Sequence, residues 1–139
     1  TCMRALQKLQ QNLVICAPSI AQQAGIAALR YAAPDVERMR ATYDERRRYM
    51  IGRLREMGFG IQVEPKGAFY IFADARKFTK DSYKCAFEVL EQAHVGITPG
   101  IVFGTGGEGY VRFSYANSLE NIREALDRLN RFLLSRGFL

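Results

Sequence analysis

Tryptophan is absent from the 139-residue sequence, and cysteine, histidine and proline are scarce. The three cysteines, Cys2, Cys16 and Cys85, are widely spaced and form no CxxC pair, and His94 is the only histidine. Scattered cysteines of odd number indicate no disulfide framework, and a single imidazole is a poor basis for a structural zinc site. We therefore expect neither disulfides nor a bound metal, and a structural role for His94.

Long apolar segments are also missing. No apolar run approaches the roughly 20 residues that a membrane-spanning helix needs, and the opening residues, TCMRALQKLQQ, lack the apolar region of a signal peptide. We predict a cytoplasmic protein with no membrane partner. The first residues also lack an ordinary initiator region, so we expect the chain to be a piece of a longer protein.

The residues that are present favour one globular domain. Hydrophobic residues make up 48% of the chain, and there is no low-complexity tract, which argues against disorder. Twenty Lys and Arg against fourteen Asp and Glu give a net charge of +6. A basic chain admits nucleic acid, phosphorylated cofactors or carboxylates as partners, and the sign alone does not choose among them.

The apolar periodicity changes along the chain. Helical spacing predicts helices over residues 3–15, from Ser19 to about residue 33, from Asp35 to about Met57, over 82–93 and over 118–135. Short β-rich runs predict strands over 60–65 and 68–74, paired as a hairpin, a brief strand within 94–100 followed by a loop, and a further strand over 110–116. The predicted fold class is therefore α+β, with a small, mostly antiparallel or mixed sheet covered on one face by helices and a long N-terminal helical region.

A glycine-rich stretch, GTGGEG, precedes the last predicted strand, YVRFSYA. It leads into a strand, whereas a phosphate-binding loop opens a helix, so a tight or mobile connection is the preferred interpretation. Alternation in the strand puts Val111 and Phe113 on one face and Arg112 on the other. The planar guanidinium of Arg112 could clamp a carboxylate, but an exposed sheet arginine or an internal ion pair would explain it equally well.

Two features allow a nucleic-acid hypothesis. The third helix is rich in arginine, but acidic residues are interspersed, and Asp44 lies four residues before Arg48, which favours a salt-bridged surface. YVRFSYA loosely matches the aromatic strand of an RNA-recognition motif, although Glu108 stands where a basic residue should precede Gly109. The alternative to an enzyme is thus a non-catalytic α+β binding module, either a small-molecule regulatory domain or an RNA-binding one.

Three segments, CAPSIAQQAGIAAL, PKGAFYIFAD and GITPGIVFGTGGEGYVRFSYANSLENIREALDRL, together resemble the C-terminal part of a class I/II aminotransferase, a pyridoxal-phosphate-dependent enzyme of fold type I. The resemblance covers essentially the whole chain. It implies a homodimeric enzyme that transfers an amino group between an amino acid and a 2-oxo acid. It divides the chain into a helical connection from a large cofactor-binding domain, residues 1–34, and a C-terminal small domain, residues 35–139.

The resemblance also implies roles for individual residues. Arg112 matches the arginine that binds the substrate α-carboxylate, and Gly67, Pro99 and Gly100 match residues that line the substrate cleft. The turn formed by Cys16, Pro18 and Ser19 is similar to a segment that lies near the active site of the neighbouring subunit.

The family's catalytic lysine has no counterpart in this chain. The five lysines occur in other contexts: Lys8, Lys66, Lys77, Lys80 and Lys84. We therefore expect no catalytic residue in this segment, no activity from it alone and no tightly bound pyridoxal phosphate without the rest of the enzyme.

Overall fold

The computed structural model describes residues 2–139, which form two compact units, residues 2–40 and residues 41–139. The first unit is helical. It contains α1 (Cys2–Leu13), α2 (Ser19–Tyr31) and the beginning of α3 (Ala33–Glu56). Neither α1 nor α2 contains a buried residue. Pro34 lies in the first turn of α3, where its missing N–H breaks no helical hydrogen bond.

The second unit is an α+β domain with a three-stranded sheet. After the remainder of α3 come β1 (Tyr70–Asp74), α4 (Ser82–Ala93), β2 (Thr98–Pro99), two 3-10 segments (Gly100–Phe103 and Thr105–Gly107), β3 (Tyr110–Ser114) and α5 (Leu119–Ser135). The strand order is β1-β3-β2, and both pairings are antiparallel. This arrangement confirms the predicted fold class.

The helices cover one face of the sheet. Alternate strand residues, Ile71 of β1 and Val111 and Phe113 of β3 among them, join a single buried cluster with residues of the second half of α3, α4 and α5. Asp81 caps α4 by accepting a hydrogen bond from the Lys84 amide, and Ser118 caps α5 in the same way. The predicted alternation of YVRFSYA is therefore confirmed.

The predicted hairpin between residues 60–65 and 68–74 is wrong. Gly60 forms only an isolated bridge with Asp74, and the partner of β1 is β3. Pro65 has no amide hydrogen to donate to a ladder, so this segment is a poor neighbour for a strand.

The arginine-rich helix carries ion pairs along its length. Glu37 pairs with Arg40, Asp44 with Arg47 and Arg48, and Arg53 with Asp127. The interpretation of this helix as a salt-bridged surface is therefore confirmed. Among residues 2–139, no helix is long and apolar enough to cross a membrane, and no group of three His, Cys, Asp or Glu side chains is arranged to hold a metal.

Candidate functional site

The open face of the sheet carries Arg112 at its centre. The register places Arg112 of β3 between Phe72 of β1 and Thr98 of β2. Because side chains alternate along a strand, Arg112 points away from the helices that cover Val111 and Phe113. The strand backbone thus fixes the base of a cationic side chain on the face opposite the helices that cover Val111 and Phe113.

Aromatic rings surround the guanidinium. Its central carbon lies 4.4 Å from the ring centroid of Tyr70 and 5.0 Å from that of Phe103, both within the range of cation–π attraction. The Phe103 ring also meets Phe72 edge to face, and Phe72 stacks on Tyr110. These contacts orient the guanidinium without neutralising its charge.

The hydrogen-bonding capacity of Arg112 is mostly unused. Nη2 donates to Oγ1 of Thr98 at 3.2 Å, whereas Nε is buried and has no hydrogen-bond partner. Within residues 2–139, no carboxylate forms an ion pair with this arginine. Buried donors are normally satisfied, so an unpaired Nε on a half-buried cation points to a partner that the described residues do not supply. Arg112 is half-buried, so it is not an exposed sheet arginine, and it has no ion-pair partner within residues 2–139.

A cleft of about 480 Å³ opens beside Arg112. Its lining residues come from the segment before β1, from β1, from the first 3-10 segment and from β3: Gln62, Val63, Pro65, Tyr70, Phe72, Phe103, Tyr110 and Arg112. Arg112 is the only charged residue among them. A small anion with an apolar or aromatic body fits this combination of one cation and several rings.

The other predicted cleft residues, Gly67, Pro99 and Gly100, are not among the residues that line this cleft. Pro99 pairs with Val111 beside Arg112, and Gly100 is buried against the chain, because a Cβ there would collide with the carbonyl oxygens of Gly107 and Tyr110. Gly67 is exposed with open space around it. Their assignment as cleft residues stays a prediction.

The CAPS turn belongs to the first unit. Cys16, Pro18 and Ser19 are all exposed, and Ser19 is the first residue of α2. Their proximity to a neighbouring subunit stays a prediction as well.

None of the residues that line this cleft is a lysine. Cys85 is also unsuited to nucleophilic chemistry, because burial raises the pKa of its thiol. His94 ends α4 in the left-handed conformation and is not among the residues that line this cleft.

The sequence did not reveal the residues that hold Arg112 in place. Thr98, Tyr70 and Phe103 meet the guanidinium from three different chain segments. The only local signal was the aromatic content of the segments around it.

Comparison with known proteins places the chain in a family. The family model for aminotransferase class I and II matches residues 1–129. An aminotransferase of Bacillus subtilis is 42% identical over 93% of this chain and 33% of its own length, and an aspartate aminotransferase of Pyrococcus horikoshii is 42% identical over 94% and 34%.

Solved structures of aminotransferases are also similar to this chain. The crystal structure of an aromatic aminotransferase from Pyrococcus horikoshii superposes with a TM-score of 0.88 at 41% identity, and the alignment covers 95% of this chain and 36% of that one. The chain spans about a third of the length of the relatives it matches. Matched over nearly its whole length, the chain belongs to the aminotransferase class I and II family.

Proposed function

We propose that this chain is the C-terminal part of a pyridoxal-phosphate-dependent aminotransferase and that Arg112 binds the α-carboxylate of its amino-acid and 2-oxo-acid substrates. The order of the three family-like segments supports the C-terminal placement. The carboxylate role rests on one observation: Arg112 is half-buried in an aromatic cleft, and its buried Nε has no partner.

The geometry suits carboxylate binding. A guanidinium presents parallel N–H donors that match the two oxygens of a carboxylate, and Nε together with an Nη group forms one such edge. The β3 backbone and the flanking rings of Tyr70 and Phe103 hold the side chain before the substrate arrives. A preorganised arginine therefore fixes one end of the substrate, so that the carbon bearing the amino group is presented in one orientation.

In this proposal, the cofactor and the lysine that binds it belong to another part of the intact enzyme. We propose that residues 1–34 connect to a large domain that binds pyridoxal phosphate through a lysine outside this chain, and that residues 35–139 form the small domain. In the homodimer, Cys16, Pro18 and Ser19 would lie near the partner's site, and Gly67, Pro99 and Gly100 would border the completed cleft. Cys16, Pro18, Ser19 and Gly67 are exposed, and Pro99 and Gly100 lie in or next to β2. These placements are compatible with the proposed roles.

The RNA-binding alternative receives no support from the described residues. Glu108 occupies the position of the expected basic residue, and its carboxylate accepts hydrogen bonds from the amides of Ser82 and Gly109. It thus places a negative charge next to the strand that would stack bases. We expect no salt-sensitive RNA retention by this chain.

Arg112→Lys in the full-length enzyme tests the carboxylate role. Lysine keeps the charge but loses the planar fork, so we expect KM for the best amino-acid substrate to rise roughly thirtyfold, equivalent to about 2 kcal/mol of lost binding. Arg46→Lys is the matched control, because Arg46 lies on α3 and does not line the cleft. Unchanged kinetics in the Arg112 variant would refute the assignment.

A second experiment tests the division of labour. The 139-residue chain, incubated with pyridoxal phosphate and then dialysed, should retain no stoichiometric cofactor absorbance and should transfer no amino group. The full-length enzyme treated in parallel should do both. Stable cofactor binding by the short chain would contradict the proposal that the cofactor site lies elsewhere.

A further inference from the structure

The segment that holds Arg112 is fastened to α4 by side chains that touch neither Arg112 nor the cleft. Thr98 and Phe103 both contact the guanidinium, and both lie on the stretch from β2 through the first 3-10 segment. β2 is only two residues long, and its second residue, Pro99, has no amide hydrogen. Strand pairing alone is therefore a weak anchor for this stretch.

Ser82 and Glu108 supply the missing attachment. Ser82, at the beginning of α4, is completely buried, and its Oγ accepts a hydrogen bond from the Ile101 amide at 3.2 Å. The Ser82 amide donates to Oε1 of Glu108 at 2.6 Å, and the Gly109 amide donates to the same oxygen at 2.9 Å. One carboxylate thus joins the start of α4 to the start of β3, and one hydroxyl joins α4 to the 3-10 segment.

The backbone between these attachments closes tightly on itself. A Cβ on Gly100 would collide with the Gly107 carbonyl oxygen, and a Cβ on Gly107 would collide with that of Gly100. The loop between the two attachments therefore has little freedom to compensate when one of them is lost. Phe103, whose ring lies against Arg112, is carried within this closed loop.

We propose that Glu108 and Ser82 are positioning residues for Arg112: they fix the Thr98–Phe103 segment to α4 and so hold the guanidinium in the orientation that receives a carboxylate. The glycine-rich stretch then serves as a closed loop that carries one wall of the arginine site. This inference rests on the proposed carboxylate role of Arg112. The two nevertheless make separate predictions.

The experiment uses the full-length enzyme and whichever common L-amino acid it converts with the highest kcat/KM. For Glu108→Ala, we expect KM to rise about tenfold while kcat changes less than about twofold, because substrate binding is weakened and the later steps are not. Glu108→Gln keeps an oxygen that can accept both hydrogen bonds, so KM should stay within about twofold of the wild-type value.

Asp81→Ala is the matched control for general damage to this helix end. Asp81 caps α4 at the Lys84 amide, one residue before Ser82, but makes no hydrogen bond to the loop. Its loss should lower stability without raising KM. An equal rise in KM for the Asp81 and Glu108 variants would overturn the proposal, because it would show that any disturbance of α4 has the same effect.

A double-mutant cycle with Arg112→Lys separates positioning from an independent structural role. If Glu108 acts through the arginine, Glu108→Ala should raise KM by less than about twofold in the Arg112→Lys background. If Glu108→Ala instead raises KM by the same factor in the Arg112→Lys background as in the wild-type background, the proposal is overturned. Should Glu108→Ala fail to fold, Ser82→Ala removes the acceptor for Ile101 and the hydroxyl contact to Glu108 but keeps the Ser82 amide that donates to Glu108. We expect KM to rise about threefold in this variant, and this rise should also vanish in the Arg112→Lys background.

The single variants distinguish the two levels of inference. If Arg112→Lys leaves KM unchanged, the proposed carboxylate role fails. If Arg112→Lys raises KM and neither Glu108→Ala nor Ser82→Ala does, the carboxylate role stands and the positioning role is refuted.

Discussion

Ala68 has a backbone φ of 58°. This conformation is energetically unfavourable for any L-residue that carries a side chain. The strain lies at the entrance to β1, two residues before Tyr70. Tyr115 stabilises this conformation with two hydrogen bonds. Its hydroxyl donates to the Ala68 carbonyl oxygen at 3.1 Å, and its amide donates to the Phe69 carbonyl oxygen at 2.9 Å. A buried tyrosine therefore holds the strained residue in place.

Ala68→Gly should stabilise the chain. Glycine adopts a positive φ without steric cost, and this gain exceeds the extra entropy of the unfolded chain, so we expect the free energy of unfolding to rise by about 0.5 kcal/mol. Urea denaturation of the 139-residue chain measures it. The same replacement at Ala86, which is buried within α4, should lower that free energy by about 1 kcal/mol. A loss of stability in both variants would contradict the argument.

At the residue scale, the sequence was informative about Arg112 and silent about its surroundings. A charge inside an alternating strand is visible in the order of residues, and alternation determines its face. The ring of Phe103, the hydroxyl of Thr98 and the carboxylate of Glu108 reach their partners through tertiary contacts that no local pattern encodes. The unpaired Nε is likewise a property of the folded surroundings.

Among the elements, those stabilised by local interactions were the ones predicted well. The predicted bounds of α4 agree with the observed Ser82–Ala93, because a capping aspartate and an amphipathic pattern define it. The hairpin prediction failed because adjacent β-rich segments were assumed to pair. β1 instead pairs with β3, about forty residues further along the chain, and adjacency in sequence carries no information about that choice.

The segment before β1 is tied to α3 by a charge network. Arg47, whose side chain is only 16% exposed, donates to Oε1 of Glu64 and to Asp44, both at 2.8 Å. Arg55 adds a contact to Glu64 at 3.3 Å. Glu64 lies between cleft residues Val63 and Pro65, so the network joins one wall of the cleft to a helix of the core.

This network makes stability depend on pH. The hydrogen bond from Arg47 lowers the pKa of Glu64 below its ordinary value of 4.5. A depressed pKa in the folded state means that the stabilisation is fully present above 4.5 and is lost as the pH falls through the folded-state value. Glu64→Gln should therefore lower the free energy of unfolding at about pH 7. At about pH 3, the difference in this free energy between the variant and wild type should be smaller.

Urea midpoints of both proteins across that pH range provide the measurement. Asp44 faces the same arginine and also has a lowered pKa, so the Glu64→Gln protein should keep part of the acid sensitivity. Glu45→Gln is a suitable control, since Glu45 lies on the same helix and is not one of the carboxylates that pair with Arg47. Parallel curves for wild type and Glu64→Gln would rule out a contribution from Glu64.

At the scale of the whole molecule, the buried residues among those described, 2–139, all lie in one of the two units. Every residue of the buried cluster lies in residues 41–139, whereas α1 and α2 contribute none. Large apolar side chains of the first unit are instead exposed, among them Leu6, Leu13, Ile20 and Leu29. The hydrophobic effect therefore stabilises the second unit and gives little to the first.

Deleting residues 1–34 tests this distribution. The shortened chain keeps Asp35 near the start of α3 and every residue of the buried cluster, so its free energy of unfolding should stay within about 0.5 kcal/mol of the value for the 139-residue chain. Urea denaturation followed by near-ultraviolet circular dichroism reports on the tyrosines of the core. The shortened chain should also self-associate less, because the exposed leucines and isoleucines of α1 and α2 are gone.

In the full-length enzyme, unlike in the 139-residue chain, we expect changes to the apolar side chains of residues 1–34 to be harmful. We propose that it covers the apolar side chains of residues 1–34 with its large domain, so Leu6→Asp or Leu29→Asp should impair its folding or assembly while leaving the stability of the 139-residue chain almost unchanged. Lys8→Asp serves as the control, since it adds the same carboxylate to α1 without removing an apolar side chain. If Leu6→Asp and Leu29→Asp are tolerated as well in the full-length enzyme as in the short chain, these surfaces do not pack against the large domain, and the proposed connecting role of residues 1–34 is wrong.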